Sequence, residues 1–317
     1  MLFLARIKKN PWRRSADSAL PRRGGDEPVR LPSLIVTHSI RKMRGMRHDG
    51  RAPDQLRPVQ ITRRFTEAPA GSVLWQQGKT IVLCTASVTP DVPPWFAEDR
   101  PGGWVTADYV MLPGSTPLRK DWPKTGHTDS RGTEIQRIIG RSLRAVVDLS
   151  KIGPHTIALD CQVLQADGGT RTASICGAYV ALADALAKLP AEMPGGVTMR
   201  NRGATRASRD EAEPSVPARY DARFYDPKGA LVDELAAVSV GIVDGQVLLD
   251  LDYRDDVRAE VDMNIAWTAG GRYVEVQGSA ENGGGFDRGK MMDMIDLATA
   301  GCRELIARMR EARERAS

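Results

Sequence analysis

Gln165-Ala166-Asp167-Gly168-Gly169-Thr170-Arg171-Thr172-Ala173-Ser174 is the stretch where two kinds of secondary structure meet. Ahead of it, residues 156–164 are β-branched and apolar and read as a strand. Behind it, residues 172–189 are Ala-rich and read as a helix. Asp167-Gly168-Gly169 breaks the strand. Glycine lets a backbone approach a ligand closely. A helix N-terminus offers unpaired N–H groups and partial positive charge to an anion. Thr170 adds a hydroxyl donor and Arg171 a bidentate fork. The stretch therefore describes a phosphate site at Gly169, Thr170 and Arg171. Read alone, it equally describes a capped turn with an exposed arginine.

Upstream the pattern is β. Ser72-Val73-Leu74-Trp75 and residues 80–87 flank Gln76-Gln77-Gly78-Lys79, a hairpin turn. Residues 105–111 form another strand. Residues 113–133 are polar and rich in Gly, Pro, Lys and Arg, and read as a long loop. Its basic residues Arg119, Lys120, Lys124 and Arg131 can contact a polyanion. Ile135, Ile138, Ile139, Leu143, Val146 and Val147 then recur at helical spacing. Arg137, Arg141 and Arg144 fall largely off that stripe, as on a solvated basic face.

Downstream, residues 191–226 lose apolar periodicity and read as an exposed insertion. Strands are expected at 236–243, 246–253, 259–268 and 272–277. After Gly283-Gly284-Gly285 an amphipathic helix is expected over about 287–313. Its apolar stripe is Met291, Met294, Ile295, Ala298, Cys302, Leu305 and Ile306. Strands and helices in mixed order make an α+β fold. Neither a G-x-G-x-x-G after a strand nor a G-x-x-x-x-G-K-[ST] is present, which argues against those nucleotide-binding folds.

A second constellation runs from Leu248 to Asn264. Asp250, Asp252, Asp256, Glu260 and Asp262 share one strand parity if the segment stays extended. A bend near Arg254 would instead fold Asp256 back toward Asp262. Clustered carboxylates suit Mg²⁺ or Mn²⁺ and general acid–base work. A polar hairpin face has the same pattern.

The chain has 317 residues and a net charge of +5. Residues 1–45 hold eleven Lys/Arg and three Asp/Glu, leaving 34 basic and 37 acidic residues in the rest. The basic character is thus that of an N-terminal extension, 1–45, whose Arg, Pro and Gly content reads as disorder. A basic arm of this kind can bind nucleic-acid backbones. Its opening Met-Leu-Phe-Leu-Ala is too short for a secretory core. Met46 opens a more ordered-looking sequence and offers an alternative start of translation. No apolar run approaches the ~20 residues that span a membrane. Cys84, Cys161, Cys176 and Cys302 lack metal-site spacing and read as buried reduced thiols of a cytoplasmic protein.

Taken together, the motifs resemble one family. Met46-Arg47-His48-Asp49-Gly50-Arg51, Leu56-Arg57-Pro58, Thr106-Ala107-Asp108-Tyr109 and Met111-Leu112-Pro113 carry the resemblance. It is strongest in Glu134-Ile135-Gln136-Arg137-Ile138-Ile139-Gly140-Arg141-Ser142-Leu143-Arg144-Ala145-Val146. Gln165 to Ser174, Ala259-Glu260-Val261-Asp262-Met263-Asn264 and Val274-Glu275-Val276-Gln277-Gly278 complete it. From Met46 onward the sequence is similar to ribonuclease PH, a phosphorolytic family that trims the 3′ ends of tRNA.

The resemblance implies a single catalytic domain over 46–317 and a homohexamer built as a trimer of dimers. It implies inorganic phosphate as co-substrate, held by Gly169, Thr170, Arg171 and the arginine just before the long helix, Arg131. It implies catalytic carboxylates at Asp256 and Asp262 that hold Mg²⁺ or Mn²⁺. It implies Arg119 as an RNA contact, and a role in tRNA and rRNA processing in the cytoplasm. Two rival classes are a non-catalytic RNA-binding ring subunit and a metal-dependent hydrolase. The chain also departs from the family pattern. Gly114 and Trp122 stand where basic residues are usual, and Asp255 where Glu is common. The loop is about one residue shorter. The extension and the insertion lie outside the pattern.

Overall fold

Alternation in the strand sequences decides which face is buried. Val82, Cys84 and Ala86 alternate with half-exposed residues along one strand, and Ile157, Leu159, Cys161 and Val163 along another. The computed structural model describes residues 47–96, 102–122, 129–190, 224–281 and 285–315. The extension 1–45 and most of the insertion lie outside them. The first sheet contains β1 (Val59–Arg63), β2 (Gly71–Gln77), β3 (Thr80–Thr89), β4 (Trp104–Met111) and β5 (Thr156–Gln165), in the order β1-β2-β3-β5-β4. The β2–β3 hairpin forms where the sequence puts it. Strand β4 runs parallel to β5, and helix α1 (Ser130–Arg144) makes the crossover.

Helix α2 (Thr170–Lys188) follows β5 directly. Of its 19 residues, 15 are buried, so it is covered on all sides. It packs on β2, β3 and β5, and on β6 and β8 of a second sheet. That sheet is antiparallel, with β6 (Leu235–Val243), β7 (Gln246–Leu249), β8 (Val261–Thr268) and β9 (Tyr273–Ala280) in the order β7-β6-β8-β9. A short helix, α3 (Tyr253–Arg258), lies between β7 and β8. Helix α4 (Arg288–Glu314) packs on β6, β7, β8 and β1. The architecture is α+β, and one hydrophobic core runs through both sheets. No helix among the described residues is long and apolar enough to cross a membrane.

Four expectations are corrected. The strand 246–253 stops at Leu249, because Asp250 takes a left-handed backbone, φ 54°, and Asp252 caps a helix. The Asp252 carboxylate accepts from Arg254 N and Asp255 N at 2.9 and 3.1 Å. The extended parity of the five carboxylates therefore does not exist; the bend does. The loop 113–133 is shorter than its composition suggests. Asp129 caps α1 by accepting from Gly132 N at 3.0 Å, which places Arg131 inside the first helical turn. Met291 on the α4 stripe is 38% exposed, while Met309 extends the stripe instead. Finally, the basic face of α1 is not merely solvated. Arg141 pairs with Glu275 at 2.6 Å, and Arg144 donates to Val105 O and covers the Trp104 ring. The four cysteines are buried and free, as expected.

Candidate active site

Two chain reversals build the site. At the end of β5, Gly168 and Gly169 adopt φ of 73° and 64°. A side chain at Gly168 would collide with the backbone of Leu251 and Asp252, and one at Gly169 with the Arg57 guanidinium. Only glycine fits here, on both conformation and space. Gly169 caps α2, whose first backbone bond within the turn is Ala173 N to Gly169 O at 3.0 Å. The leading N–H groups of α2 are thus free for an anion. The Thr170 hydroxyl is held by the Tyr109 hydroxyl at 2.8 Å. Arg171 donates to Gln277, which donates to Glu134 at 2.7 Å.

At the second reversal, α3 turns Asp256 back toward Asp262 on β8. Burial raises the Asp256 carboxyl above its ordinary range, with Glu281 adding to the rise and Arg131 and Arg171 opposing it. Burial and the Asp256 charge push Asp262 up to about 6, against Arg171 and a hydrogen bond from Asn264. The Asn264 amide reaches Asp262 at 3.3 Å. One cavity of about 430 Å³ is lined by Arg131, Gly169, Thr170, Arg171, Asp256, Asp262 and Asn264. The residues named from sequence for phosphate and for catalysis therefore meet at one place. Arg119 does not join them. Its side chain is 70% exposed beside Asp121, and Lys120 lines the cavity instead. Lys124 lies outside the described residues.

Sequence reasoning missed the frame behind this cavity. Arg57 donates to both Asp250 oxygens, and to Asp167 O at 2.6 Å. Arg47 holds Asp255 and donates to Asp250 O, and Arg51 donates to the same carbonyl at 3.0 Å. Asp255 is buried in this network while its neighbour Asp256 faces the cavity. The partners are some 200 residues apart, and no local pattern signals such pairs. Gln277 and Glu134 stood in matched motifs without a role.

The carboxylate pair fits a hard divalent cation. Asp256 and Asp262 offer oxygen ligands, and their mutual repulsion is what a cation relieves. His48, Asp252 and Asp255 also cluster, but Arg47 and Arg51 already supply the positive charge there. That cluster is a salt-bridge network.

Two profiles of one family match the chain. The 3′ exoribonuclease family, domain 1, matches residues 55–188, and domain 2 matches residues 233–301. The chain belongs to the 3′ exoribonuclease family. Within that family it is similar to proteins named ribonuclease PH. The one from Corynebacterium kroppenstedtii is 49% identical over 84% of this chain and 92% of its own. That of Corynebacterium efficiens is 50% identical over 82% and 93%, and that of Rhodopirellula baltica 48% over 80% and 92%. The fold is also that of an archaeal exosome core, at a TM-score of 0.60 and 22% identity, covering 86% of this chain and 95% of that one. The Archaeoglobus fulgidus exosome with RNA bound to its active site superposes equally, at 0.60 and 21% identity over 89% and 97%. In this exoribonuclease family setting, the two profiles meet at the cavity: domain 1 contributes Arg131, Thr170 and Arg171, and domain 2 Asp256 and Asp262.

Proposed function

We propose that the chain shortens RNA from its 3′ end by phosphorolysis, releasing nucleoside diphosphates. The observation that carries this reading is the meeting of an anion-binding helix start and a carboxylate pair in one cavity. A hydrolase needs the carboxylates but has no use for the Gly169-Thr170-Arg171 turn. A non-catalytic ring subunit has no use for either.

Phosphate is the attacking group. Arg131, Arg171, the Thr170 hydroxyl and the free N–H groups of α2 hold it against the terminal phosphodiester. Attack forms a P–O bond to inorganic phosphate and breaks the bond to the 3′-oxygen of the preceding nucleotide. Two anions must approach, so positive charge is the main catalytic requirement. The departing 3′-oxygen takes its proton from Asp262, whose carboxyl is raised to about 6, only where that carboxylate holds no metal. With a metal bound, the cation takes over the neutralisation instead. Mg²⁺ or Mn²⁺ held by Asp256 and Asp262 would neutralise charge on the scissile phosphate. The diphosphate conserves the bond energy, so the reverse reaction, nucleotide addition, is also expected.

The resemblance to ribonuclease PH supports the finer statements. They are tRNA precursors as substrates, a homohexamer built as a trimer of dimers, and a cytoplasmic location. The extension 1–45 is an accessory arm, and 46–317 a single catalytic unit interrupted by the insertion at about 191–226. Incubation of an RNA oligomer with and without phosphate tests the reaction. Nucleoside diphosphates only in the presence of phosphate support it; monophosphates without phosphate overturn it. Sedimentation at six times the chain mass tests the hexamer.

A further inference from the structure

The cavity has two halves of different chemistry. Arg131, Thr170, Arg171, Asp256 and Asp262 form the charged half. The other half is apolar, with Met111, Pro117, Leu118, Leu251 and Tyr253. Tyr253 is the one aromatic side chain among the described residues on its wall. It occupies the first position of α3, one turn ahead of Asp256, and is 59% exposed. Its hydroxyl makes no hydrogen bond among the described residues, so no side-chain bond fixes the ring. Leu118 on the facing loop is 86% exposed.

A nucleotide has the same division, with a charged phosphate at one end and a flat π-face at the other. We propose that Tyr253 is a substrate-binding residue that stacks on the base of the 3′-terminal nucleotide, while the charged half holds the phosphates. The proposal rests on the assignment of this cavity as the phosphorolytic site. Stacking on an aromatic face is tolerant of sequence, because every base has such a face. An enzyme that removes whichever nucleotide comes last needs that tolerance. Edge-reading hydrogen bonds would give it a preferred base. The exposed ring continues past the cavity onto a shallow surface with His48, Arg254 and Val257, so the strand has an open way out over α3.

The test uses the full chain and single-stranded RNA oligomers, one with an ordinary 3′-terminal nucleotide and one abasic at that position. Tyr253→Ala is expected to raise KM for the ordinary oligomer by about 5- to 100-fold. Its kcat should change much less. Tyr253→Phe is expected to restore the wild-type KM, because the ring and not the hydroxyl stacks. On the abasic oligomer, the wild type and Tyr253→Ala should have the same KM. The Asp252 cap bonds to backbone N–H groups, so α3 keeps its start in both variants. A Tyr253→Ala KM within about twofold of wild type, against the loss expected from stacking, overturns the proposal. So does an equal loss on both oligomers. Asp262→Asn run in parallel separates the two readings. Loss in Asp262→Asn with no effect of Tyr253→Ala removes the stacking alone; no loss in either removes the site assignment with it.

Discussion

Arg57 grips Asp250 through its backbone N–H at 2.8 Å, its Nε at 3.0 Å and its Nη2 at 2.6 Å, across 193 residues of sequence. Both groups are almost fully buried. Burial alone would raise the Asp250 carboxyl; Arg57 overcomes this and holds it below the ordinary carboxylate range. The same guanidinium donates to Asp167 O, so the pair fixes the glycine turn against the entry to α3. This contact helps reference the two sides of the cavity to each other, alongside the Arg171–Gln277 hydrogen bond.

Removing one partner strands a buried charge. Arg57→Ala is expected to cost about 3–5 kcal/mol of stability. The double variant Arg57→Ala with Asp250→Ala should cost less than the sum of the two singles. Urea unfolding midpoints measure both. The sign with pH follows from the depressed carboxyl. Its stabilisation is present above the ordinary carboxylate pKa and is lost as pH falls through the lower folded value. The wild-type advantage over Arg57→Ala should therefore shrink in acid, and an advantage constant from pH 7 to pH 2 would contradict it.

Asp262 behaves in the opposite way. Its folded pKa is raised to about 6 from 3.8, so burial of its charge opposes folding above that range and is relieved as pH falls. Asp262→Asn is expected to stabilise the metal-free protein at pH 8 by roughly 1–3 kcal/mol, with the gain fading toward pH 4. Asp256→Asn removes the like charge and should lower the Asp262 titration. Carboxyl NMR on the metal-free protein reads this directly, and an unshifted Asp262 in Asp256→Asn would refute the coupling.

The same Asp262→Asn variant should keep the fold and nearly abolish turnover. Loss of one essential electrostatic group typically costs about 10²-fold or more. Retained phosphorolysis at close to the wild-type rate would make Asp262 structural.

The legible parts of this protein were those encoded locally. A glycine pair between a β-branched run and an Ala-rich run specifies a strand, a tight turn and a helix within 35 residues, and the structure has all three. Asp256 and Asp262 were legible as a pair, and the bend near Arg254 that brings them together was one of two alternatives the sequence left open. The six-residue helix that carries Asp256 is too short to leave a periodic pattern, and its signal is one capping side chain, Asp252. Arg57, Gln277 and Glu134 were invisible as site residues for a different reason. Each acts through a partner more than 100 residues away, and only the fold brings the two together.

The N-terminal boundary of function is expected to fall between residues 45 and 47. Deleting 1–45 removes eleven basic residues and keeps Arg47 and Arg51 in the chain. Activity on short RNA should persist, while binding to long RNA at low salt weakens. Deleting 1–51 also removes Arg47 and Arg51, which hold Asp255 and the Asp250 carbonyl. That truncation should lose both stability and activity. Equal activity losses in the two truncations would refute the boundary.

The loop after β4, where Gly114 and Trp122 depart from the family pattern read in the sequence, is expected to influence which RNA is preferred. By the sequence resemblance, Gly114 and Trp122 stand where positive charge is expected. Each missing phosphate contact lowers the salt dependence of binding by a slope of about 0.7–0.9. Gly114 has open space around the position of a side chain, so arginine can be placed there without displacing a neighbour. Trp122 is 56% exposed and available to an unpaired base. Such a stack is worth about 1–3 kcal/mol and favours single strands over a folded tRNA body. Gly114→Arg is therefore expected to strengthen binding to a tRNA precursor and steepen its salt dependence by about one counterion. Trp122→Ala is expected to weaken binding to an unstructured oligomer more than to the precursor. Affinities measured for both variants on both RNAs over a salt series make the comparison. Equal effects on the two RNAs would reject the loop as the source of selectivity.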